Sequence, residues 1–161
     1  MKTCRVTREN YTQFREMLKQ RVSETHPAAR PLGADEHSFF ARYGVLDGDT
    51  FWVFAAEHEG RFCGWISAAL IPKPDARLGT IYIDELWVCQ EYRRQQVATQ
   101  LVGKVLETAG QMGIWRVRLN VSVSNQPARE LYRSIGFRES DTCIFCEIDV
   151  RKSYEELEQE R

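Results

Sequence analysis

The chain has no long apolar run. Its longest charge-free apolar stretch, Phe62 to Pro72, is far short of the roughly 20 residues a membrane-spanning helix needs. The start, Met1 to Arg8, has no apolar core of the kind that marks a secretory leader, so none is expected. Neither sign of charge is in surplus: 22 Lys and Arg stand against 23 Asp and Glu, a net charge of -1. A dedicated nucleic-acid binder needs a basic excess to neutralise phosphates, so no nucleic-acid partner and no membrane partner are expected. Repeats, low-complexity tracts and Gly/Ser/Pro linkers are missing, and proline is sparse at 5 residues. The cysteines are odd in number, 5 in all, and scattered at positions 4, 63, 89, 143 and 146. That pattern reads as reduced thiols in a cytoplasm rather than a disulfide framework. Cys143 and Cys146 have CxxC spacing but no second pair and no nearby His, so they read as core packing and no metal is expected.

What is present fits one globular domain over residues 1–150 with a charged tail over 151–161. The length is 161 residues, with 43% hydrophobic and 28% charged, and such a chain buries a core without a disulfide or metal staple. Cys4 to Thr7 suggests a short strand. Thr7 then caps a helix whose apolar face is Tyr11, Phe14, Leu18 and Val22. Asp35 opens a second helix carrying Phe39, Phe40 and Tyr43. Two strands, Thr50 to Glu57 and Arg61 to Ile71, flank a Glu59-Gly60 hairpin turn. Thr80 to Val88 is the next strand. A long helix follows, with Val97, Leu101, Val102, Val105, Leu106, Ala109 and Met112 on one face and Gly113 as its stop. Trp115 to Ser124 alternates apolar and polar as a half-buried strand does. Ser124 or Asn125 caps a helix with Pro127 in its first turn, Ala128, Leu131, Tyr132 and Ile135 on one face, and Gly136 at its end. Cys143 to Val150 supplies a last strand. The predicted fold is α/β: a mixed sheet of six or seven strands with helices on both faces.

The junction between strand Thr80–Val88 and the long helix draws attention first. Strand-to-helix turns in βαβ units present free backbone N–H groups at the positive end of the helix dipole, a setting suited to phosphate or pyrophosphate. Here the turn reads Arg93-Arg94-Gln95-Gln96-Val97-Ala98-Thr99, with two guanidinium and two amide side chains as additional donors. A polar, solvated helix start is the plain alternative.

Segment Ile81 to Phe137 resembles the acetyl-CoA-binding core of the GNAT superfamily of N-acetyltransferases. That family's phosphate loop is Gln/Arg-x-x-Gly-x-Gly/Ala, and Arg93 to Ala98 matches it at Arg93 and Ala98. Leu86-Trp87-Val88 resembles the family's Leu-x-Val strand end. The later motif, Asn-x-x-Ala-x-x-x-Tyr followed by Gly-Phe, is matched by Asn125, Ala128, Tyr132, Gly136 and Phe137. Two motifs in order, separated by a helix and a strand, are more specific than either alone. They cover about a third of the chain, and the element order fits the family's fold over nearly all of it. Gln96 departs from the pattern, since it stands where the family has Gly. It either crowds the loop or points outward and leaves the backbone amides usable.

The resemblance implies acetyl-CoA as co-substrate, no metal, and a primary amine as acceptor. Moving an acetyl group from a thioester to an amine requires proximity, a donor for the oxyanion, deprotonation of the ammonium and a proton for the departing thiolate. By resemblance, a backbone N–H within Leu86, Trp87 and Val88 is the oxyanion donor, and Tyr132 is the acid. A phenol pKa of about 10 lies above that of a thiol, so Tyr132 can donate; it also sits on an apolar helix face and reads as core. Asn125 is either a contact to the CoA arm or an N-cap. Asp84 and Glu85 sit side by side in an otherwise apolar strand, and only one can face a given cleft. In the family's polyamine and aminoglycoside branches an acid at the position of Asp84 handles the amine, so Asp84 or Glu85 is the expected amine ligand. The competing reading is an ion pair to Arg116 or Arg118.

On the acceptor side, Glu24, His26, Asp35, Glu36, His37, Phe39, Phe40 and Tyr43 would form an acidic and aromatic wall suited to an organic cation. An N-acetyltransferase acting on a small cationic amine, polyamine- or aminoglycoside-like, is the leading expectation. A non-catalytic acyl-CoA-binding or protein-interaction module with a degenerate phosphate loop is the alternative. The edge strand Cys143 to Val150 is open to pairing with a second copy in a homodimer.

Overall fold

The computed structural model describes residues 1–25, 46–75, 78–140 and Cys146. Five strands form one sheet in the order β1-β2-β3-β4-β5. They are β1 (Lys2–Arg5), β2 (Phe51–His58), β3 (Arg61–Pro72), β4 (Gly79–Val88) and β5 (Val117–Leu119). The helices are α1 (Tyr11–Thr25), α2 (Val97–Gln111) and α3 (Gln126–Ile135), with a 3-10 turn at Gln90–Tyr92. The first three pairings are antiparallel and β4–β5 is parallel. A parallel pair needs a crossover connection, and α2 provides it.

The β2–β3 hairpin turns at Glu59 and Gly60, both in the left-handed region at φ 49° and 78°. Two such residues match the right-handed twist of the flanking strands. Side chains alternate between two cores. On one face Trp52, Phe54, Ile66, Ile81 and Ile83 pack against Val97, Leu101, Val102, Val105 and Ala109 of α2. On the other, Val53, Ala55, Phe62, Trp65 and Trp87 pack against Tyr11, Phe14 and Met17 of α1. Helices therefore cover both faces, as expected.

Several expectations are corrected. The sheet has five strands among the described residues, not six or seven; the expected strand Cys143 to Val150 lies outside them, apart from Cys146, which is exposed rather than core. The expected helix from Asp35 and the tail 151–161 also lie outside. Helix α1 begins at Tyr11, and Asn10 rather than Thr7 organises its start: its Oδ1 accepts from the Thr7 amide at 2.8 Å and its Nδ2 donates to the Arg5 carbonyl at 3.0 Å. The most buried positions of α1 are Tyr11, Phe14 and Met17, while Leu18 and Val22 are half-buried. Leu106 is 37% exposed on α2. The expected strand Trp115 to Ser124 contracts to Val117–Leu119, with Trp115 and Val123 left 63% and 71% exposed. Both helix stops hold. Gly113 and Gly136 have φ 70° and 106°, and Ile114 and Phe137 donate back to the Ala109 and Tyr132 carbonyls at 2.8 and 3.0 Å.

Candidate active site

Strand β4 changes character halfway along. Ile81, Tyr82 and Ile83 pair with β3 on one side and with Val117, Arg118 and Leu119 of β5 on the other. Ser67 then pairs with Glu85 and Ala68 with Ile83, so Asp84 is an extra residue, a β-bulge. The bulge inverts the alternation. Ile81 and Ile83 face the α2 core, and beyond the bulge it is Val88 that lies in that core while Trp87 joins the α1 core. The buried Ser67 hydroxyl accepts from the Glu85 amide at 3.2 Å, so the bulge leaves no stray donor there. Asp84 is exposed at the break. Glu85 turns toward α1, where Arg21 grips its carboxylate with two bonds of 2.9 and 3.3 Å. Glu85 thus makes the ion pair, with Arg21 rather than with Arg116 or Arg118.

Past Asp84 the β5 side of β4 is open, because β5 ends at Leu119. Strand geometry decides which amides face that opening. The Glu85 and Cys89 amides bond to β3, through Ser67 Oγ and the Cys63 carbonyl at 2.9 Å. Alternate residues point the other way, so the Leu86 and Val88 amides face the open edge and the Trp87 amide does not.

The open edge leads into the loop before α2. Arg93 is extended, whereas Arg94 and Gln96 both adopt left-handed backbone at φ 64° and 63°. The first helical backbone bond runs from Gln100 to the Gln96 carbonyl at 3.0 Å. Among the described residues, the amides of 94–99 donate to no backbone carbonyl. Successive amides around left-handed residues at a helix N-terminus form a concavity that takes anions. Gln96 adopts the backbone a glycine would, with its side chain exposed and making no cap bond. Gln95 Nε2 donates to the Glu91 carbonyl at 2.9 Å, and Arg93 Nε to the Val88 carbonyl at 3.1 Å. Both side chains therefore brace the loop. Val97 is buried and Ala98 packs on the same core, while Arg94 and Thr99 are exposed. Beneath the loop lies Gly64 of β3. A Cβ there would stand 3.0 Å from the Trp87 carbonyl oxygen and 3.2 Å from Val88 and Val97 side-chain carbons. The residues fit a pyrophosphate at the helix start and an extended chain along the β4 edge.

Helix α3 brings the second motif to the α2 face. Tyr132 packs on that core with Leu86, Ala98 and Leu119. Its ring meets Phe137 edge-on at 5.6 Å. Burial pushes its phenol above the ordinary value, so it is protonated at neutral pH. Asn125 is the N-cap of α3, its Oδ1 accepting from the Ala128 amide at 3.3 Å. Cys89 lies at the strand end but is no nucleophile: burial, with carboxylates nearby, pushes its thiol up to about 12. Among the described residues no group of His, Cys, Asp and Glu could hold a metal ion.

Asp84 stands exposed at the break in β4, and Leu86, Val88, Val97, Ala98 and Tyr132 share one core beyond it. Glu85 and Trp87 turn to the other face. Of the expected acceptor wall, Glu24 is exposed near the end of α1, and the other residues lie outside the described ones. Arg21 and Ser67 are additions to the sequence reading. Arg21 was legible: it falls seven residues after Phe14, on the apolar stripe of α1, where a lone cation calls for a partner. Ser67, one hydroxyl in an apolar strand, carried no comparable signal.

A mixed sheet opened between two parallel strands, with an anion-ready helix start at the opening, is the architecture of the N-acetyltransferase class. Residues 14–137 match the acetyltransferase (GNAT) family, and the chain belongs to it. It is 34% identical over 99 residues to human N-acetyltransferase 8, covering 62% of this chain and 43% of that protein. It is 34% identical over 111 residues to N-alpha-acetyltransferase 30 of Schizosaccharomyces pombe, covering 67% and 71%. The chain spans less than half the length of the human relative. In fold it resembles an aminoglycoside acetyltransferase from an uncultured soil metagenomic sample, solved with sisomicin, at TM-score 0.79 and 16% identity over 92% of this chain and 95% of that one.

Proposed function

We propose that the chain transfers an acetyl group from acetyl-CoA to the primary amine of a small cationic acceptor. The observation that carries this reading is the continuity between the open β4 edge and the free amides of 94–99. The loop amides, with Arg94 beside them, hold the pyrophosphate, and the edge of Leu86 to Val88 holds the pantetheine arm. Asn125 and Ala128 border that arm at the start of α3.

The chemistry then falls to three groups. Asp84, exposed at the bulge, binds the acceptor ammonium and takes its proton, directly or through a water. An alkylammonium has a pKa of about 10, and its nitrogen gains a lone pair only once that proton leaves. The nitrogen attacks the thioester carbon, and the new oxyanion is met by the Leu86 or Val88 amide. The carbon–sulfur bond breaks as Tyr132 gives its phenol proton to the departing thiolate, and the excess proton still on the acylated nitrogen passes to the phenolate and restores it. Aminoglycoside acetyltransferases among the structural neighbours and the acid at position 84 support a cationic acceptor. In the same reading residues 1–150 act as one catalytic domain, and the unpaired thiols of Cys4, Cys63 and Cys89 suit a reducing cytoplasm.

Calorimetric titration with acetyl-CoA and desulfo-CoA tests the first half of this reading. Micromolar binding is expected; no binding up to millimolar ligand overturns it. Release of CoA with an amine panel tests the second half. Binding without release would identify an acyl-CoA-binding module instead.

A further inference from the structure

We infer that Arg93 is a positioning residue that ties the end of β4 to the loop before α2, and that it does so through one N–H rather than through its charge. The inference rests on the acetyl-CoA reading above and deepens it.

Within a strand the N–H and C=O of one residue point to the same side. The Val88 carbonyl therefore shares the open edge of β4 with the Val88 amide. It is already engaged: Arg93 Nε donates to it at 3.1 Å. At the other end of the same peptide, the Cys89 amide donates to the Cys63 carbonyl at 2.9 Å. The peptide between Val88 and Cys89 is thus held from both edges, by β3 and by a side chain five positions on. In between, the chain makes a tight turn. The Tyr92 amide donates to the Cys89 carbonyl at 2.9 Å, and the Arg93 amide to the Gln90 carbonyl at 3.3 Å. Arg93 itself is extended, and the left-handed Arg94 and Gln96 come directly after it. One side-chain bond therefore ties the last edge residue of β4 to the point where the amides of 94–99 begin. A ligand that lies along the edge and reaches the loop spans this tie. A ligand that touches the loop alone does not. The tie needs an N–H and no charge. Glutamine carries Nε2 on Cδ, as arginine carries Nε, so it can make the same bond while neutral. Methionine reaches as far but has no donor, and it leaves the Val88 carbonyl unmatched beside a covered core.

The test measures the binding of acetyl-CoA, and of ADP, which has a pyrophosphate but no pantetheine arm, to the wild type, Arg93→Gln and Arg93→Met. Both variants lose the charge, so the difference between them reads the donor alone. Acetyl-CoA is expected to bind Arg93→Met about tenfold more weakly than Arg93→Gln, the order of one unmade hydrogen bond. ADP should bind the two variants within a factor of two. A difference below twofold for acetyl-CoA overturns the inference. An equal difference for both ligands also overturns it, since the effect would then lie in the loop alone. Should both variants bind both ligands equally poorly, with a loss that shrinks as salt is raised, the guanidinium is a phosphate ligand and the inference falls. A change confined to the melting temperature overturns it as well. Arg93 is exposed, so both variants are expected to fold; if Arg93→Met does not, Arg93→Leu takes its place as the variant without a donor. Failure of the wild type to bind acetyl-CoA overturns the acetyl-CoA reading, and this inference with it.

Discussion

The two halves of β4 share a strand and a β3 partner but not a fate. Ile81 to Ile83 is paired on both edges and its isoleucines are fully or nearly fully buried. Among the described residues, Glu85 to Val88 is paired on one edge only, with its other amides unclaimed by β5. A single extra residue, Asp84, separates them. The closed half does what any central strand does: it buries side chains and satisfies its backbone. The open half has unsatisfied backbone groups beside a covered core, and such groups call for a ligand. In this fold the site arises from withdrawing a neighbouring strand rather than from adding a loop.

Substitutions should affect the two halves differently. The largest effect on stability belongs to the closed half. Ile81→Ala, at a fully buried position, is expected to cost about 2–5 kcal/mol in chemical denaturation. Acetyl-CoA affinity of the folded fraction should stay within a factor of two. Asp84→Asn reverses the pattern. It should leave the melting temperature within a degree or two and cut kcat/KM by about a hundredfold; a loss below twofold would end the general-base role of Asp84.

Smaller effects sharpen the picture at the ends of the open half. Gln96 holds a left-handed backbone at φ 63° without being glycine. Gln96→Gly should relieve that strain and stabilise the protein by about 0.5–1 kcal/mol, after allowance for glycine's greater unfolded-state freedom. Its acetyl-CoA affinity should not weaken. The smallest effect concerns α3, which carries Tyr132. Hydrogen bonds from Arg129 and Arg133 hold the Glu139 carboxyl down to about 2. An unfolded Glu titrates near 4.3, so this tether is fully present above that pH and is lost as pH falls toward 2. Protection of the amides from Phe137 to Glu139, measured as exchange relative to the intrinsic rate at each pH, should fall across that window; protection that does not change would dissociate the tether from the helix end.

Much of the fold was legible because local signals were strong. The Glu59-Gly60 turn, the glycine stops at 113 and 136 and the heptad-like face of α2 each rest on short-range backbone or packing rules. Strand β5 misled for a tertiary reason. Its alternation continues through Val121 and Val123, but pairing ends at Leu119 because the bulge at Asp84 diverts the partner. Periodicity records which way side chains would face, not whether a neighbour is there to receive them. The helix-start loop at 93–98 and the capped helix at 125–137 were legible because a motif marks each. The pairing of Glu85 was not, since it depends on Arg21 arriving from a helix more than sixty positions earlier.

Gly64 contributes nothing to the chemistry by way of atoms, and that is its importance. It sits on β3, outside every motif, yet a single added methyl would press on the Trp87 carbonyl and on the two valines where β4 ends and α2 begins. The empty volume acts as a gauge block, setting the gap between two backbones and hence the width of the cradle above. Selection on this protein would therefore constrain a residue outside every motif, and surveys of tolerated substitutions would rank position 64 with the motif residues.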